Sequence, residues 1–238
     1  MILQKSLVYT ILWLLFQLSV EINCQSPLKP IQRQWHTSTF IDNKIYILGG
    51  VYLTNDSVDI NEFIYIDVSG PFNTMNLLWQ DLSTNTLPVH SGATTVVGGA
   101  NNNTLFLYGG NDNAMALVYT FDSPSKTWNT PNIAGATLSK KGFLTGVRDN
   151  VGNIYLFGGT EIISGTRTDF NDIPILDTIN LSWKLGSIVG APTQRINYGA
   201  VMLPNQNIIY LGKRAIAIIK FLGLFIYFGF LKYLFRRL

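Results

Sequence analysis

The sequence predicts an all-β fold assembled from repeated modules of four short strands. Three observations support this prediction. An apolar strand that ends in two glycines recurs along the chain, a second strand and a polar turn precede it, and a third strand and a tryptophan follow it. The apolar runs begin at Ile45, Leu105, Ile154 and, in an incomplete copy, Ile208.

The apolar strands run for four residues with little alternation between apolar and polar side chains. Such continuity is typical of strands that are buried on both faces. A glycine at the end of such a strand permits a positive φ or a close approach of another backbone. The glycine pairs are Gly49-Gly50, Gly109-Gly110 and Gly158-Gly159, and in the fourth copy Lys213 follows Gly212 where the second glycine would stand.

The strand that precedes each glycine pair ends in a turn rich in Asn, Asp, Gly or Pro, which favours a tight hairpin connection. These turns lie at residues 42–44, 98–103, 149–152 and 204–206. The third strands, at residues 63–68, 118–122 and 174–177, lead to Trp79, Trp128 and Trp183. Each module therefore holds four antiparallel strands within about fifty residues.

This pattern resembles the kelch repeat of β-propellers, and the resemblance covers Trp35 to Gly212. It implies that each glycine pair shapes its sheet and that each tryptophan packs between adjacent blades. The polar opening of a kelch module, often Arg-x-x-His, is matched by His36 and His90. We expect these two histidines to occupy equivalent positions and to have a structural role.

Three complete modules and part of a fourth predict an incomplete propeller, because closed propellers typically have four to eight blades. An incomplete propeller exposes a sheet face and an edge, and both favour association. The sequence leaves three outcomes open: an open fragment, closure by self-association, or a truncated relative of a longer protein.

The two ends of the chain predict contact with membranes. Lys5 and the apolar residues 7–20 indicate a secretory signal peptide over residues 1–24. The repeats then occupy 25–212. Residues 213–238 form a hydrophobic tail in which Ala215 to Leu234 has the length of a membrane-spanning helix. The alternative is that this tail is an artefact of truncation.

The charge distribution argues against nucleic-acid binding. The tail from Lys213 holds six Lys and Arg residues and no acid, whereas residues 25–212 hold ten basic and thirteen acidic residues. The folded region is therefore slightly acidic, and a basic face is not expected on it. The chain has one cysteine, Cys24, so no disulfide within the chain and no zinc site are expected.

The sequence predicts no catalytic, metal-binding or cofactor-binding residue. Galactose oxidase, a copper enzyme, resembles this chain only in its propeller repeats. The loops after the first and third glycine pairs carry acidic residues without a calcium-loop signature, so we expect them to be solvated. These acids are Asp56, Asp59 and Glu62 in the first loop and Glu161, Asp169 and Asp172 in the third.

The predicted function is a non-catalytic extracellular recognition module, held at the membrane by its C-terminal helix or secreted. Its loops at residues 51–61 and 160–171 are the candidate contacts for a protein or glycan ligand. Sequons at Asn55, Asn102 and Asn180 predict N-glycosylation in the secretory pathway. The alternatives are a truncated relative of a galactose-oxidase-like enzyme without its active site, and a truncated product without independent function.

Overall fold

The computed structural model describes residues 28–53, 58–83, 89–110 and 116–212, the backbone of 215–220, and Trp13. The chain divides into two compact units, Met1–Pro30 and Ile31–Leu238. Apart from Trp13, the predicted signal segment lies outside the described residues. The strands discussed below all belong to the second unit.

The sequence modules form successive antiparallel sheets and not one continuous sheet, which confirms the predicted all-β fold. Blade 1 comprises β2 (Thr37–Ile41), β3 (Lys44–Leu48), β5 (Phe63–Asp67) and β6 (Trp79–Asp81). Blade 2 comprises β7 (Thr94–Gly98), β8 (Thr104–Tyr108), β9 (Val118–Asp122) and β10 (Thr127–Asn129). Within each blade these strands are hydrogen-bonded in chain order.

Blades 3 and 4 continue the same order of strands. Blade 3 consists of β12 (Gly146–Arg148), β13 (Asn153–Leu156), β16 (Pro174–Asp177) and β17 (Ser182–Leu185), with β11 (Ala134–Gly135) parallel to β17. Blade 4 consists of β18 (Gly199–Met202), β19 (Asn207–Gly212) and β20 (Ala215–Lys220). In blade 4 the first three strand positions are filled within the described residues.

The prediction of a C-terminal helix from residue 215 is wrong for its first six residues. Ala215–Lys220 is a strand that pairs with β19, with Gly212 opposite Ala215 and Asn207 opposite Lys220. Its apolar residues form the third strand of blade 4. The helix was predicted because an apolar run of this kind is also typical of a membrane-spanning helix. The rest of the predicted helix lies outside the described residues, within which the structure contains no helix suited to crossing a membrane.

Tight turns connect the strands as the turn residues predict. Asp42 and Asn43 both have positive φ, 48° and 59°, which is the geometry of a two-residue type I′ hairpin. In blade 2 the Asp122 carboxylate accepts hydrogen bonds from the Ser125 N–H at 2.9 Å and its hydroxyl at 2.5 Å. These bonds lower the pKa of Asp122 and stabilise the turn before Trp128.

The blades pack against one another through two apolar clusters. The first, between blades 1 and 2, includes Tyr46, Leu48, Phe63, Leu107 and Phe121. The second joins blades 2, 3 and 4 around Tyr108, Leu156, Phe157, Trp183 and Tyr210. The first strands of consecutive blades are neighbours in space, β2 with β7, β7 with β12 and β12 with β18. The four inner strands therefore lie side by side in the order of the blades.

Candidate ligand-binding cavity

One residue shortly before the inner strand of each blade takes part in a chain of main-chain hydrogen bonds. The N–H of Gly92 donates to the carbonyl of Trp35 at 2.9 Å, and the N–H of Phe143 donates to the carbonyl of Gly92 at 2.7 Å. The N–H of Asn197 then donates to the carbonyl of Phe143 at 2.8 Å. These four residues therefore hold equivalent positions in blades 1 to 4, and we call them the entry residues.

The glycine pairs form a second joint between each blade and the next. The second glycine donates its N–H to a carbonyl two residues before the next entry residue. Gly50 donates to His90 at 2.7 Å, Gly110 to Lys141 at 3.1 Å and Gly159 to Arg195 at 2.9 Å.

The first glycine of each pair makes room for the same carbonyl. Gly49, Gly109 and Gly158 have φ of 62°, 69° and 65°, in the left-handed region that favours glycine. A Cβ at these positions would lie 2.3, 1.9 and 2.8 Å from the carbonyl oxygens of His90, Lys141 and Arg195. Gly212 instead continues β19 into its pairing with β20.

The two histidines are not equivalent, contrary to the expectation from the sequence. His36 directly follows the entry residue Trp35, whereas His90 precedes the entry residue Gly92 by two residues. The residue of blade 1 that corresponds to His90 is therefore Arg33. His90 is 2% exposed, and its ring packs edge-on against Tyr119, with 5.6 Å between the ring centroids.

One threonine in each of blades 1 to 3 links neighbouring inner strands. The N–H of Thr95 donates to the hydroxyl of Thr37, and the N–H of Gly146 donates to the hydroxyl of Thr94, both at 3.0 Å. The hydroxyl of Thr145 donates to the carbonyl of Tyr198 at 2.5 Å. An inner strand is a sheet edge, and these hydroxyls satisfy part of its unpaired backbone. This role was not predicted from the sequence, although a threonine stands two residues after three of the four entry residues.

The entry residues and the first residues of the inner strands line a cavity of about 380 Å³. All four blades contribute to it. Among its lining residues, Trp35, His36 and Asn197 have exposed side chains, and Phe143 is half-buried. The cavity therefore offers two aromatic rings, an imidazole and an amide to a ligand from solvent.

A glycine leaves room for the ring of Phe143, which packs against Trp35 in the cavity. Phe143 packs edge-on against Trp35, with ring centroids 5.4 Å apart and an interplanar angle of 87°. The blade 2 entry residue lies between them in the blade order, and a Cβ on Gly92 would come within 3.0 Å of the Phe143 ring. Gly92 therefore leaves the space that the ring occupies. Trp35 stays 44% exposed and is open to a ligand.

Two ion pairs fix the same part of blades 1 and 3. Arg33 pairs with Glu62 in blade 1, and Lys141 pairs with Asp172 at 2.5 Å in blade 3. Glu62 directly precedes the third strand of blade 1, and Asp172 lies two residues before the third strand of blade 3. The main-chain carbonyl of each acid accepts a hydrogen bond from the N–H of the first glycine of its blade. The prediction that Glu62 is a solvated loop acid is wrong, because its side chain is 14% exposed.

Lys141 is the most buried charged side chain of this region, at 1% exposure. Besides Asp172, its ammonium faces the ring of Phe170, with 4.6 Å from Nζ to the ring centroid. Burial lowers the pKa of Lys141, and the bond to Asp172 opposes that shift. Asp172 stays 35% exposed, as expected for a solvated loop acid, but it also pairs with this buried lysine. A lysine at this repeat position gave no sequence signal that it would be buried.

The two long loops begin beside the cavity. Residues 51–52 form β4, which pairs with β1 (Arg33–Gln34), directly before the entry residue Trp35. In blade 3, β14 (Thr160–Ile163) and β15 (Thr166–Asp169) form a hairpin whose base bridges to Gly142. Ile163 is 62% exposed near the turn of this hairpin. Both candidate recognition loops are thus anchored next to an entry residue, while residues 54–57 lie outside the described residues.

The three tryptophans of the repeat occupy the same face of their blades. Trp128 contacts Phe63 of blade 1, with ring centroids 5.3 Å apart, and Trp183 contacts Tyr108 of blade 2 at 5.9 Å. Trp79 is half-buried and pairs in register with Ile66. Of the three sequons, Asn102 and Asn180 are exposed in turns, and Asn55 lies outside the described residues.

The described side chains equip the cavity for binding. Within residues 28–53, 58–83, 89–110 and 116–212, no three His, Cys, Asp or Glu side chains are grouped so that they could hold a metal ion. What the cavity presents is aromatic surface, hydrogen-bonding groups and a rigid frame of main-chain bonds. This combination is typical of sites that orient a ligand by shape and a few polar contacts.

Comparison with known proteins gives the family. The profile described as KLHDC2/KLHL20/DRC7 Kelch-repeats domain matches residues 35–220. The chain belongs to the kelch-repeat family. The match includes the strand Ala215–Lys220 and so extends the kelch region beyond the predicted boundary at Gly212.

Curated relatives carry the same repeats. Kelch domain-containing protein 3 of Rattus norvegicus is 28% identical over 196 residues, which are 75% of this chain and 48% of the relative. The Homo sapiens protein of the same name is 27% identical over 202 residues, with the same coverage. The kelch chain thus spans about half the length of the curated relatives it matches.

Proposed function

We propose that this kelch chain is a non-catalytic binding module that takes a protein segment into the cavity between its four entry residues. Kelch repeats generally mediate protein–protein interactions. The observation that carries the proposal is the exposed Trp35, seated on Phe143 at a 380 Å³ cavity to which every described blade contributes. Exposed aromatic side chains that are held rigidly commonly dominate binding energy at protein interfaces.

The cavity favours an apolar or aromatic side chain flanked by peptide groups. Trp35 and Phe143 supply the apolar contact, and the exposed amide of Asn197 can both donate to and accept from a peptide backbone. Desolvation by its neighbours and the nearby charge of Arg33 lower the pKa of His36, which favours its neutral imidazole. The hairpin β14–β15, with Ile162 and Ile163 exposed, would extend the contact beyond the cavity.

Replacing Trp35 with alanine should weaken binding of cavity ligands by at least about tenfold, because a central aromatic anchor commonly contributes more than 1.4 kcal/mol. Peptides selected from a random displayed library on the wild-type chain serve as probes, and fluorescence polarisation measures Kd. Val189→Ala is the control, since Val189 is 86% exposed and is not among the cavity lining. Selected peptides that bind Trp35→Ala and the wild type equally would refute the cavity as the site.

We further propose that the module enters the secretory pathway and is displayed at the cell surface or secreted. The support is the apolar segment 7–20 behind Lys5 and the exposure of two of the three sequons. Membrane anchorage then depends on residues 221–238, since the six residues before them form β20.

Expression in a eukaryotic cell should therefore give a glycosylated protein that stays in the membrane pellet after carbonate extraction. Peptide N-glycosidase should raise its electrophoretic mobility, and Asn102→Gln should remove one step of that change. An unglycosylated chain in the cytosol would contradict the secretory proposal, and a glycosylated chain in the carbonate supernatant would contradict anchorage alone.

A further inference from the structure

The two outermost blade faces of the described kelch region are apolar and open. On blade 1, Phe40 is 58% exposed, and Ile45 and Ile47 beside it are half-buried. On blade 4, Val201 and Leu211 are each 48% exposed. Ile45, Ile47 and Leu211 lie on second strands, where the corresponding side chains of the other blades are buried.

A simple rule governs how the blades pack. We call the face that meets the following blade the forward face and the opposite one the rear face. The forward face of blade 1 places Phe63 against Phe121 on the rear face of blade 2, with ring centroids 4.8 Å apart. The forward face of blade 3 places Phe157 against Tyr210 on the rear face of blade 4 at 5.1 Å.

The open faces are the two halves of this same joint. The blades can be aligned on the glycine that ends each second strand, which is Gly49 in blade 1, Gly158 in blade 3 and Gly212 in blade 4. In this alignment Leu211 corresponds to Phe157, and Ile47 corresponds to Tyr210. Leu211 lies on a forward face, and Ile47 lies on a rear face next to Phe40 and Ile45. The exposed apolar face of blade 4 is therefore of the kind that packs on the exposed apolar face of blade 1.

A single copy does not make this contact with itself, because Leu211 would then be buried like its counterparts Leu48, Tyr108 and Phe157. We propose that the forward face of blade 4 docks on the rear face of blade 1 in a second copy of this chain. If both ends pair reciprocally, two copies of four blades give a closed ring of eight, within the range of known propellers. This inference is independent of the cavity ligand proposed above.

Cysteine pairs test the docking directly. In a Cys24→Ser background, mixing Ile47→Cys with Leu211→Cys and a bismaleimide of about 10 Å span should yield a cross-linked dimer, because packed sheets lie about 10 Å apart, which is too far for a disulfide. The expected proximity comes from Phe157 and Tyr210, which hold the same two positions and whose ring centroids lie 5.1 Å apart. Val189→Cys mixed with Leu211→Cys is the matched control and should stay monomeric on a denaturing gel. A dimer in both mixtures, or in neither, would overturn the proposal.

Disruption gives an independent readout. Sedimentation in a density-matched detergent should show the full chain as a dimer, and Leu211→Asp should halve its mass, since a carboxylate cannot be buried in that joint. Val189→Asp should leave the mass unchanged. Because Leu211 is exposed within one copy, circular dichroism should show that the variant remains folded. A monomeric wild type, or a dimer that survives Leu211→Asp, would mean that another segment covers these faces and would refute the second-copy occupant.

Discussion

Replacing Gly109 with alanine should lower the free energy of unfolding by about 3 to 5 kcal/mol. The positive φ of 69° is strained for any L-residue, and the added Cβ would lie 1.9 Å from the carbonyl oxygen of Lys141. Backbone strain at such a site costs about 1 to 3 kcal/mol and overpacking a similar amount. Relief of the overlap would also break the bond from the Gly110 N–H to the same carbonyl, at 3.1 Å.

Gly165→Ala is a matched control for this substitution. Gly165 also has a positive φ, 79°, but a Cβ there would meet nothing within 4 Å. Its loss should be limited to the strain, about 1 to 2 kcal/mol. Urea denaturation followed by tryptophan fluorescence measures both variants. Equal losses would show that close approach between blades is not what the first glycine of the pair provides.

Replacing Asp172 with asparagine should cost about 2 kcal/mol, because it removes the carboxylate that pairs with the buried ammonium of Lys141. The cost stays below that of a fully buried pair, since the Lys141 side chain is 1% exposed but the Asp172 side chain is 35% exposed. The control is Asp169→Asn on the neighbouring hairpin, where Asp169 pairs with Arg167 at 2.7 Å. The Arg167 side chain is 50% exposed, and the loss there should stay below about 1 kcal/mol.

The deficit of Asp172→Asn should also shrink as the pH rises. Burial lowers the pKa of Lys141 in the folded chain below its usual 10.5, so the unfolded chain binds more protons between the two values. Stability therefore rises with pH in that window. Removal of Asp172 lowers the pKa of Lys141 in the folded chain further. The rise of stability with pH therefore begins at a lower pH in the variant. Denaturation series at pH 7 and pH 10 measure the change, and a deficit that is constant across both would contradict a charged, buried Lys141.

The modular architecture could be predicted from the sequence because its signals are local. The apolar strands, the glycine pairs and the turns at Asp42-Asn43 are each determined by neighbours in the chain. The family match over residues 35–220 agrees with that prediction. The fate of Ala215–Lys220 could not be predicted, because an apolar run suits either a buried strand or a membrane helix until its partner strand is known.

The candidate site was harder to predict because it depends on alignment between blades. Matching His36 with His90 by residue type shifted the first two modules by three residues, and the hydrogen bonds from Gly50 and Gly92 show the correct alignment. With that shift, Arg33 and Lys141 could not be recognised as equivalent, nor could their pairing with Glu62 and Asp172. These contacts join residues about thirty positions apart in the chain. The periodicity of a strand or a helix predicts contacts only between residues that are much closer in sequence.

The bonds between the entry residues use only main-chain atoms, and this has a consequence for how such a module can change. Tryptophan, glycine, phenylalanine and asparagine fill the four positions without altering the N–H and C=O groups that connect them. The frame requires a left-handed backbone at all four positions, with φ between 50° and 66°, and at Gly92 it requires room for the Phe143 ring, but it uses no side-chain atom of Trp35, Phe143 or Asn197. New ligand preferences can arise there by substitution while the frame that presents them is inherited intact.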